Sequence, residues 1–479
     1  MCGIVGLLGN GSLDDATSMA SAIGHRGPDG SGDFHSYVDN TGGSVAFSHA
    51  RLSIIDLGGS HQPIHSDHGC VMVANGEIYN HKEIKSELQD YPFRTAGDSE
   101  TILALHRAYA WGCKSGDNPA QKHVEWVSKL DGMWGFSLWD PSVNELILCR
   151  DPFGIKPLVR TQLSDGTLLF GSEVKAFRGH SEFSAKPDVT ALAVRLAYEY
   201  PLDQTTLFLG VTSVGIGTIE TWSIVEGKAT LTGVARDWKP QVNPSDNWNP
   251  SNNASQLLYS LTDSIQDRLM ADVPIGIVLS GGLDSSLITA LVAKNYKKGE
   301  LSTFSVGLEG SVDLKYAKKV AEYLGTNHHE FELSTKETKE IITKLPQIYT
   351  EPFSDSSQIP SHLICKEARN QGIKVALTGD GGDELFGGYN RHIFAPQFQQ
   401  ISSKFPQSIK EMIYQILLLS LKFSQGKRAD KIKKIALLIK NSGSLENVYK
   451  SLTSCWLNSN EILIDENKDL PNILRNSTY

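Results

Sequence analysis

Short apolar runs separated by glycine, asparagine and aspartate dominate the first part of the chain. They occur, for example, at 43–48, 69–75, 135–140, 144–150 and 166–172. Each run has the length of one strand, and the residues between the runs favour reversal of the chain. The pattern predicts an antiparallel, sheet-rich domain over residues 1–215.

The pattern of apolar residues changes beyond residue 255. Strand-like runs at 274–280, 301–307 and 373–379 alternate with stretches typical of amphipathic helices. Such alternation indicates a parallel sheet with crossover helices. We therefore predict an α/β domain over 256–479, preceded by a connecting segment and an Asn-, Pro- and Ser-rich linker over 216–255.

Composition limits the class of protein. The chain has 479 residues, 40% of them hydrophobic and 21% charged, which is typical of a soluble globular protein with two or three domains. A formal charge of -9 gives no indication of nucleic-acid binding. The longest apolar stretch, 412–423, is interrupted by polar residues and shorter than the ~18 residues of a membrane span, so it predicts a packed helix. With no leader sequence evident, we expect a cytoplasmic protein without nucleic-acid or membrane partners.

The six cysteines show neither CxxC pairs nor the spacing of zinc ligands. Five of them, Cys70 included, are interpreted as small apolar fillers. Cys2 differs because it directly follows the initiator methionine. It is either an ordinary strand residue or, once Met1 is removed, a nucleophile beside its own α-amino group. The histidines at 61, 65, 68 and 328–329 also lack a metal-ligand spacing.

A glycine-rich turn, SGGLDSS at 280–286, follows one predicted strand and precedes a predicted helix. Backbone amides in such a turn form a cradle for an anion, and glycine lets the backbone approach a phosphate closely. Asp284 is suited to hold Mg²⁺. The turn lacks the Walker lysine and looks like the pyrophosphate loop of ATP pyrophosphatases; a plain strand-to-helix turn is the alternative.

A second turn, TGDGGDE at 378–384, also follows a predicted strand. The carboxyl ends of parallel strands meet at one edge of a sheet, so the two turns are expected to face the same crevice. Their clustered carboxylates repel one another unless a metal ion or an amine offsets the charge. A solvated acidic turn is the alternative, but no lysine or arginine lies among these carboxylates to form a structural ion-pair cluster.

Several motifs occur in one order along nearly the whole chain. They are MCGIVG (1–6), HRGPDG (25–30), RLSIID (51–56), NGEIYNH (75–81), GDSE (97–100), RDPFGIKPL (150–158), GSEVKAF (171–177), DVPIGIVLSGGLDSS (272–286), FSVGL (304–308), LGTNHHEFEL (324–333) and VALTGDGGDELFGGY (375–389). With these motifs the chain resembles the glutamine-hydrolysing asparagine synthetase family, in which a class II glutamine amidotransferase domain is fused to an ATP pyrophosphatase-type synthetase domain.

The resemblance implies an α/β multidomain fold. The first domain would be an N-terminal-nucleophile (Ntn-type) αββα sandwich, and the second a parallel α/β domain like that of the adenine nucleotide α-hydrolases. Members of the family usually continue well beyond the position of Tyr479, so the second domain is expected to be short at its C-terminal end. The resemblance also allows a homodimer.

For the first domain, the resemblance implies a mature chain that begins at Cys2. The sulfur would attack glutamine with the α-amino group as base. The Asn75 side chain and the Gly76 N–H would form the oxyanion hole. The implied glutamine site comprises Arg51, Leu52, Ile54, Asn75, Gly76, Glu77 and Asp98. Within it, Arg51 would bind the substrate carboxylate, and Asp98 with Glu77 its ammonium group.

For the second domain, the resemblance implies that ATP activates the carboxylate of aspartate as an acyl adenylate. Ammonia arriving through an internal tunnel would then displace AMP. The implied ATP site comprises Leu279, Ser280, Gly281, Gly282, Asp284, Ser285, Val306, Thr378 and Gly379. Asp284 and Asp383 would bind Mg²⁺, and Asp380 would act near the intermediate as a catalytic residue.

Two other functions remain open at the level of sequence. A related amidotransferase could aminate another carboxylate, such as a sugar acid in surface-polysaccharide synthesis. A truncated remnant could retain glutaminase activity alone. Asparagine formation is the interpretation that the motifs favour first.

Overall fold

The computed structural model describes residues 1–38, 41–113, 116–202, 204–239, 249–308, 310–352 and 354–455. Within these ranges, two antiparallel sheets come first in the chain, then a parallel sheet, and then a group of helices. This order matches the sequence-predicted change from antiparallel to alternating α/β structure.

Two six-stranded antiparallel sheets build the first domain. Their strands are β1 (Gly3–Gly9), β2 (Gly30–Val38), β3 (Gly43–Arg51), β4 (Ile64–His65), β5 (Val71–Ile78), β6 (Gly132–Asp140), β7 (Glu145–Arg150), β8 (Val159–Gln162), β9 (Leu168–Gly171), β10 (Val211–Ser213), β11 (Thr218–Val225) and β12 (Lys228–Arg236). The spatial orders are β10-β8-β9-β1-β3-β2 in the first sheet and β12-β11-β7-β6-β5-β4 in the second.

Helices cover the outer faces of the two sheets. They are α1 (Leu13–Ala22), α2 (His81–Glu87), α3 (Glu100–Tyr109) and α4 (Val124–Val127), together with 3₁₀ turns at Gly24–Arg26, Pro119–His123 and Val174–Gly179; a further helix, α5 (Val189–Tyr198), follows later in the chain. Strand β1 is buried on both faces: Ile4 and Leu8 lie between the sheets, whereas Val5 and Leu7 pack against the α1 layer. Alternate residues of a strand point to opposite faces, so a continuous apolar run suits a strand covered on both sides. The predicted αββα sandwich is confirmed.

Strands β11 and β12 extend the first domain beyond residue 215. β11 pairs with β7, and β12 pairs with β11. Ile219 and Trp222 are buried in the sandwich core, which makes this hairpin part of the domain. The sandwich therefore continues to Arg236, and the predicted connecting segment 216–255 begins inside it. Helix α6 (Pro250–Asp267) then begins before residue 255; positions 240–248 of the predicted linker lie outside the described residues.

A four-stranded parallel sheet with the order β15-β14-β13-β16 forms the centre of the second domain. Its strands are β13 (Ile275–Val278), β14 (Ser302–Gly307), β15 (Asn327–Glu332) and β16 (Val375–Leu377), and the helices that follow α6 and connect them are α7 (Leu283–Ala293), α8 (Val312–Leu324), α9 (Thr335–Ile348) and α10 (Gln358–Asn370). In α8 the Ser311 side chain accepts a hydrogen bond at the first turn, and Gly325 ends the helix at φ +71°. The predicted parallel α/β domain is confirmed.

The chain continues as helices α11 (Gly382–Phe386), α12 (Asn390–Ser402), α13 (Gln407–Leu421), α14 (Gly426–Lys440) and α15 (Leu445–Thr453). Helix α13 contains most of the predicted apolar helix and packs along α14, where the Lys440 ammonium lies 5.1 Å from the Tyr414 ring centre. Met412, Ile416 and Leu419 are nevertheless more than half exposed, so only part of this helix is packed in the described chain. Among the described residues, no helix has both the length and the hydropathy needed to cross a membrane.

Candidate functional site

Cys2 lies where β1 begins, beside the end of β3. Antiparallel pairing places Gly3 opposite Ala50, so Cys2 comes next to Arg51 and the loop that follows it. The Leu52 N–H donates to the Cys2 sulfur over 3.3 Å. Burial raises the pKa of the Cys2 thiol above its ordinary value, although the Leu52 hydrogen bond opposes this shift. The thiol is therefore protonated at neutral pH and needs a base before it can act as a nucleophile.

The chain terminus next to this thiol is held by Arg26. Arg26 Nε donates to the Cys2 carbonyl oxygen over 2.9 Å, and its Nη1 donates to the Glu173 carboxylate over 2.7 Å. Burial of the Met1 α-amino group lowers its pKa to about 6. The Met1 α-amino group is thus mainly neutral at pH 7 and can accept a proton.

Strand β5 brings Asn75, Gly76 and Glu77 from the second sheet to the same place. Asn75 is 1% exposed, and its Nδ2 atom is buried with no hydrogen-bond partner in the described structure. A buried donor without a partner is costly, which is why such groups are rare outside functional sites. At Gly76 a Cβ atom would lie 2.5 Å from the Met133 carbonyl oxygen, so only glycine fits without displacing β6. This strand therefore offers a free amide donor and a side-chain-free backbone.

The carboxyl groups of Glu77 and Asp98 lie close to the Cys2 thiol. Their negative charges add to the pKa shift of Cys2. The Ile78 N–H donates to Asp98 Oδ2 over 2.7 Å. Burial, followed by the charge of Asp98, raises the pKa of Glu77 to about 8, and burial also raises the pKa of Asp98. A pair of buried carboxyl groups that holds a proton at neutral pH favours an incoming cation such as an ammonium group.

The loop after β3 folds around the Arg51 guanidinium group. Arg51 Nη2 donates to the Asp56 carbonyl oxygen over 2.8 Å, and Nη1 donates to the Leu57 carbonyl oxygen over 3.3 Å. Each of these nitrogens carries a second hydrogen, so the group retains donors for an anion. The Asp56 carboxylate in turn accepts from Ser60 Oγ and from the Ala96 N–H, which joins this loop to the segment before Asp98.

The second domain contacts the same loop. The Asp272 N–H donates to the Ile54 carbonyl oxygen over 2.9 Å, and Asp272 Oδ2 accepts from the Asp56 N–H over 2.7 Å. Ile54, predicted as a glutamine-site residue, is thus held at the domain boundary. Lys374, next to β16, pairs with Asp29 over 2.8 Å at the same boundary.

A cavity of about 950 Å³ lies between the two domains. Its wall includes Met1, Arg26 and Leu52 from the first domain. From the second domain it includes Tyr349 and Lys374. The cavity therefore reaches from Met1 and Leu52, which lie next to Cys2, to the segment before β16, at the end of that strand opposite the glycine-rich turn that follows it.

The turn after β13 has the backbone geometry of an anion cradle. Gly281 has φ +79°, and a Cβ atom there would lie 2.6 Å from the Ala317 nitrogen. The Ser280 and Ser285 hydroxyls are hydrogen-bonded to each other over 2.9 Å. Helix α7 begins directly after Gly282, and no side chain caps its first amides. Leu279 is fully buried beneath this turn, and Val306 lies partly buried near the end of the neighbouring strand β14.

The turn after β16 packs against the first one. A Cβ atom at Gly382 would lie 2.6 Å from the carboxylate of Asp284, and one at Gly379 would lie 2.9 Å from the Ser285 nitrogen. Asp380 Oδ2 accepts from the Thr378 hydroxyl over 2.9 Å. Within the described ranges, Asp284, Asp380 and Asp383 form no ion pair with a lysine or arginine. Carboxylates without a cationic partner fit a hard divalent ion such as Mg²⁺.

Sequence reasoning missed several residues that support this site, although their motifs were visible. The Asp151 carboxylate accepts backbone N–H groups of Phe153, Ile155 and Lys156, which shapes the loop that buries Lys156. The positive charge of Lys156 opposes the rise in the Glu77 pKa. Glu173 also supports the site: its carboxylate accepts from Arg26 and from the Thr350 hydroxyl of the second domain. Their roles depend on contacts between segments distant in sequence.

Comparison with known proteins gives a consistent assignment for the two halves of the chain. Residues 1–232 match the family described as glutamine amidotransferase domain, and residues 256–471 match the family described as asparagine synthase. Asparagine synthetase [glutamine-hydrolyzing] 2 of Oryza sativa subsp. japonica is 33% identical over 431 residues, covering 86% of this chain and 64% of that protein. Asparagine synthetase [glutamine-hydrolyzing] 1 of Bacillus subtilis (strain 168) is 32% identical over 440 residues, covering 89% of this chain and 65% of that protein.

This chain thus spans somewhat less than two thirds of the length of these relatives. Among solved structures, a glutamine phosphoribosylpyrophosphate amidotransferase from B. subtilis matches with a TM-score of 0.36 and 14% identity, covering 78% of this chain and 90% of that one. The two family matches occur in the same order as the two domains described above and together include both glycine-rich turns and the Cys2 site. The chain belongs to the glutamine-hydrolysing asparagine synthetase family.

Proposed function

We propose that this protein hydrolyses glutamine at Cys2 and uses the ammonia to form asparagine from aspartate and ATP. The cavity between the domains is the observation that carries this proposal. It lies beside Met1 and Leu52 on the first-domain side and reaches the segment before β16 on the second-domain side, so a small neutral molecule released near Cys2 could enter the space between the domains. Two independent enzymes would not require a shared cavity.

In the first half-reaction, Cys2 becomes the first residue after removal of Met1. Its α-amino group accepts the thiol proton, and the sulfur attacks the carboxamide carbon of glutamine. The Asn75 side chain and the Gly76 N–H stabilise the developing negative oxygen. The C–N bond breaks, the protonated amine returns a proton to the leaving nitrogen, and ammonia departs. Water then hydrolyses the Cys2 thioester to release glutamate.

In the second half-reaction, the β-carboxylate of aspartate attacks the α-phosphorus of ATP. The bond between the α- and β-phosphates breaks, giving an acyl adenylate and pyrophosphate. The amides around Gly281 and the hydroxyls of Ser280 and Ser285 would bind the phosphates, while Asp284 and Asp383 would hold Mg²⁺, which neutralises phosphate charge when bound. Ammonia then attacks the acyl carbon, and AMP leaves.

Asn75→Ala should lower kcat for glutamine hydrolysis by about 10²–10³-fold, because one donor to the oxyanion is lost. The KM for glutamine should change little, since this donor acts mainly on the transition state. Steady-state release of glutamate measures both constants. Asn10→Ala, at an exposed position, is the control. An Asn75→Ala protein with normal kcat would remove Asn75 from the oxyanion hole.

The affinity for glutamine should rise with pH between 6 and 8. The Glu77 carboxyl group, with a pKa raised to about 8, is mostly protonated below that pH in the free protein. The ammonium group of glutamine favours its ionised form, so binding releases a proton and Kd falls by up to about tenfold per pH unit. Calorimetry on the Cys2→Ala protein, which binds without turnover, measures this dependence.

Glu77→Gln should flatten that pH dependence, whereas Glu87→Gln, at an exposed position of α2, should preserve it. Buffers with different ionisation enthalpies report the released proton directly. A pH-independent Kd in the Cys2→Ala protein would contradict the assigned role of Glu77.

The acceptor is tested by incubating the purified protein with ATP, Mg²⁺ and ammonium in the presence of different carboxylates. We expect pyrophosphate and AMP release with aspartate and not with sugar acids. Release with a sugar acid alone would identify the polysaccharide-type amidotransferase instead. In a parallel assay with glutamine in place of ammonium, glutamate production without any ATP consumption would identify a glutaminase remnant. A cytoplasmic location and a homodimer stay predictions.

A further inference from the structure

A second cluster of chemically reactive side chains lies inside the first domain, away from the glutamine site. Cys70 stands directly before β5, His106 belongs to α3, and Asp140 ends β6. One ligand atom from each lies within 4.8 Å of the others, and the three residues are 2%, 1% and 1% exposed. We propose that Cys70, His106 and Asp140 bind a transition-metal ion of the Zn²⁺ type.

The imidazole of His106 gives the clearest indication of a ligand. Its Nε2 atom is buried and has no hydrogen-bond partner in the described structure. The nearest carboxylate oxygen, Asp140 Oδ2, is 3.6 Å away, which is too long for a hydrogen bond. Two ligands at the usual Zn–N and Zn–O distances and a tetrahedral angle are separated by ~3.4 Å. The spacing therefore suits two atoms that bind the same ion better than two atoms that bind each other.

The other two ligands are held by contacts outside the cluster. Asp140 Oδ1 accepts from the Ser142 N–H over 2.9 Å and from the Ser142 hydroxyl over 2.6 Å. The Asp140 carboxylate also interacts with the Cys70 thiol, whose proton a metal ion would displace. The Cys70 N–H donates to Ser66 Oγ over 3.0 Å and fixes the turn that carries the thiol. Such outer contacts orient metal ligands in known sites.

His123, whose ring lies near that of His106, provides a comparison because both of its ring nitrogens have partners. His123 Nε2 lies 2.9 Å from Glu145 Oε1, and the Trp126 indole N–H donates to His123 Nδ1 over 3.0 Å. Both of its nitrogens are thus occupied, so His123 is not a ligand. His106, by contrast, retains an unused nitrogen although its ring lies only 5.7 Å from that of His123.

Charge balance and ligand softness indicate the class of ion. A thiolate and a carboxylate carry two negative charges, which a divalent ion neutralises, and a neutral centre is the form that a buried site tolerates. A thiolate with an imidazole favours Zn²⁺ over Mg²⁺ or Ca²⁺. Cys70 precedes Asn75 by five residues along extended chain, or ~16 Å, so this ion would not take part in glutamine hydrolysis. The ion would instead link the start of β5 to helix α3 and to the end of β6, and so stabilise the fold of the first domain.

Cobalt(II) provides the test, because its spectrum reports thiolate ligation. Cys2→Ala protein is treated with chelator and titrated with Co²⁺, since an N-terminal cysteine with its amino group is itself a chelator. We expect one equivalent to bind with a thiolate-to-cobalt charge-transfer band. The additional Cys70→Ser change should remove that band, and His106→Gln should weaken binding at least tenfold. Cys365→Ser, at an exposed position, should change neither.

X-ray absorption on cobalt-loaded Cys2→Ala protein makes the test independent of whether the site variants fold. One sulfur with nitrogen or oxygen neighbours is expected. Absence of stoichiometric binding, a coordination shell without sulfur, or a charge-transfer band that persists in a folded Cys70→Ser protein would each overturn the proposal.

Discussion

Cys2→Ala should abolish glutamine-dependent synthesis while ammonia-dependent synthesis continues. We expect glutamine hydrolysis to fall by at least ~10⁴-fold, because the nucleophile is removed and its α-amino group has no thiol to deprotonate. The second domain should be unaffected, since its glycine-rich turns are built on a separate parallel sheet. With ammonium chloride in place of glutamine, AMP release should stay within twofold of the unmodified protein.

The measurement compares glutamate and AMP release from the same preparation with either nitrogen source. Cys113→Ala, at an exposed position, controls for nonspecific effects of losing a thiol. Retained glutamine hydrolysis in Cys2→Ala would refute the nucleophile assignment. Equal loss of the glutamine- and ammonia-dependent activities would instead mean that Cys2 serves the fold of the whole chain.

Gly281→Ala should lower ATP-dependent pyrophosphate release by at least about 100-fold. The residue has φ +79°, and an added Cβ atom would lie 2.6 Å from the Ala317 nitrogen and 2.8 Å from the Asp313 carbonyl oxygen. These are backbone atoms of α8, which cannot rotate away, so the turn itself must shift. A displacement of about 1 Å of groups that position a substrate costs about 10²-fold in rate. Glutamine hydrolysis should be retained.

Gly299→Ala is the matched control for this prediction. Gly299 has φ +85°, but an added Cβ atom there meets no atom within 4 Å. Both substitutions therefore carry the same kind of backbone penalty, and only Gly281→Ala also displaces the phosphate-binding turn. The thermal unfolding midpoint of Gly281→Ala should fall at least as far as that of Gly299→Ala, because the displaced turn adds to the shared backbone penalty. Equal activity in both would contradict the role of the turn after β13 in binding ATP.

Much of the fold could be predicted because both sheets of the sandwich and the parallel sheet leave simple sequence patterns. The run 3–9 is apolar at successive positions since β1 is covered on both faces. The two glycine-rich turns follow short apolar strands, and their position at one edge of the sheet followed from parallel topology. The end of the sandwich was harder to predict, because β11 and β12 resemble any exposed hairpin until their pairing with β7 is known.

The proposed glutamine site could be predicted from the sequence only through motifs, and its physical details could not be predicted. These details depend on burial between segments far apart in the chain. They are the unpartnered Nδ2 of Asn75, the raised pKa of Glu77 and the charge of Lys156 near Glu77. Cys70 illustrates the same limit. Interpreted alone, it is a small apolar filler, and only the folded chain brings His106 and Asp140 to it.

Contacts at the domain boundary would coordinate the two proposed half-reactions. Asp272 binds the backbone of both Ile54 and Asp56 in the loop that surrounds Arg51. A movement of the second domain on binding ATP would therefore act directly on the glutamine loop. The cavity and this loop thus both connect the two domains, as coupled transfer of nitrogen from glutamine to aspartate requires.

Transfer of ¹⁵N from the glutamine amide to asparagine tests this coupling most directly. The protein is incubated with glutamine labelled with ¹⁵N in the side-chain amide, aspartate, ATP and Mg²⁺, together with excess unlabelled ammonium in the medium. We predict asparagine whose amide nitrogen comes predominantly from glutamine, because ammonia passes through the cavity without mixing with solvent. Asparagine labelled only in proportion to the medium, or no asparagine at all while glutamate accumulates, would contradict it.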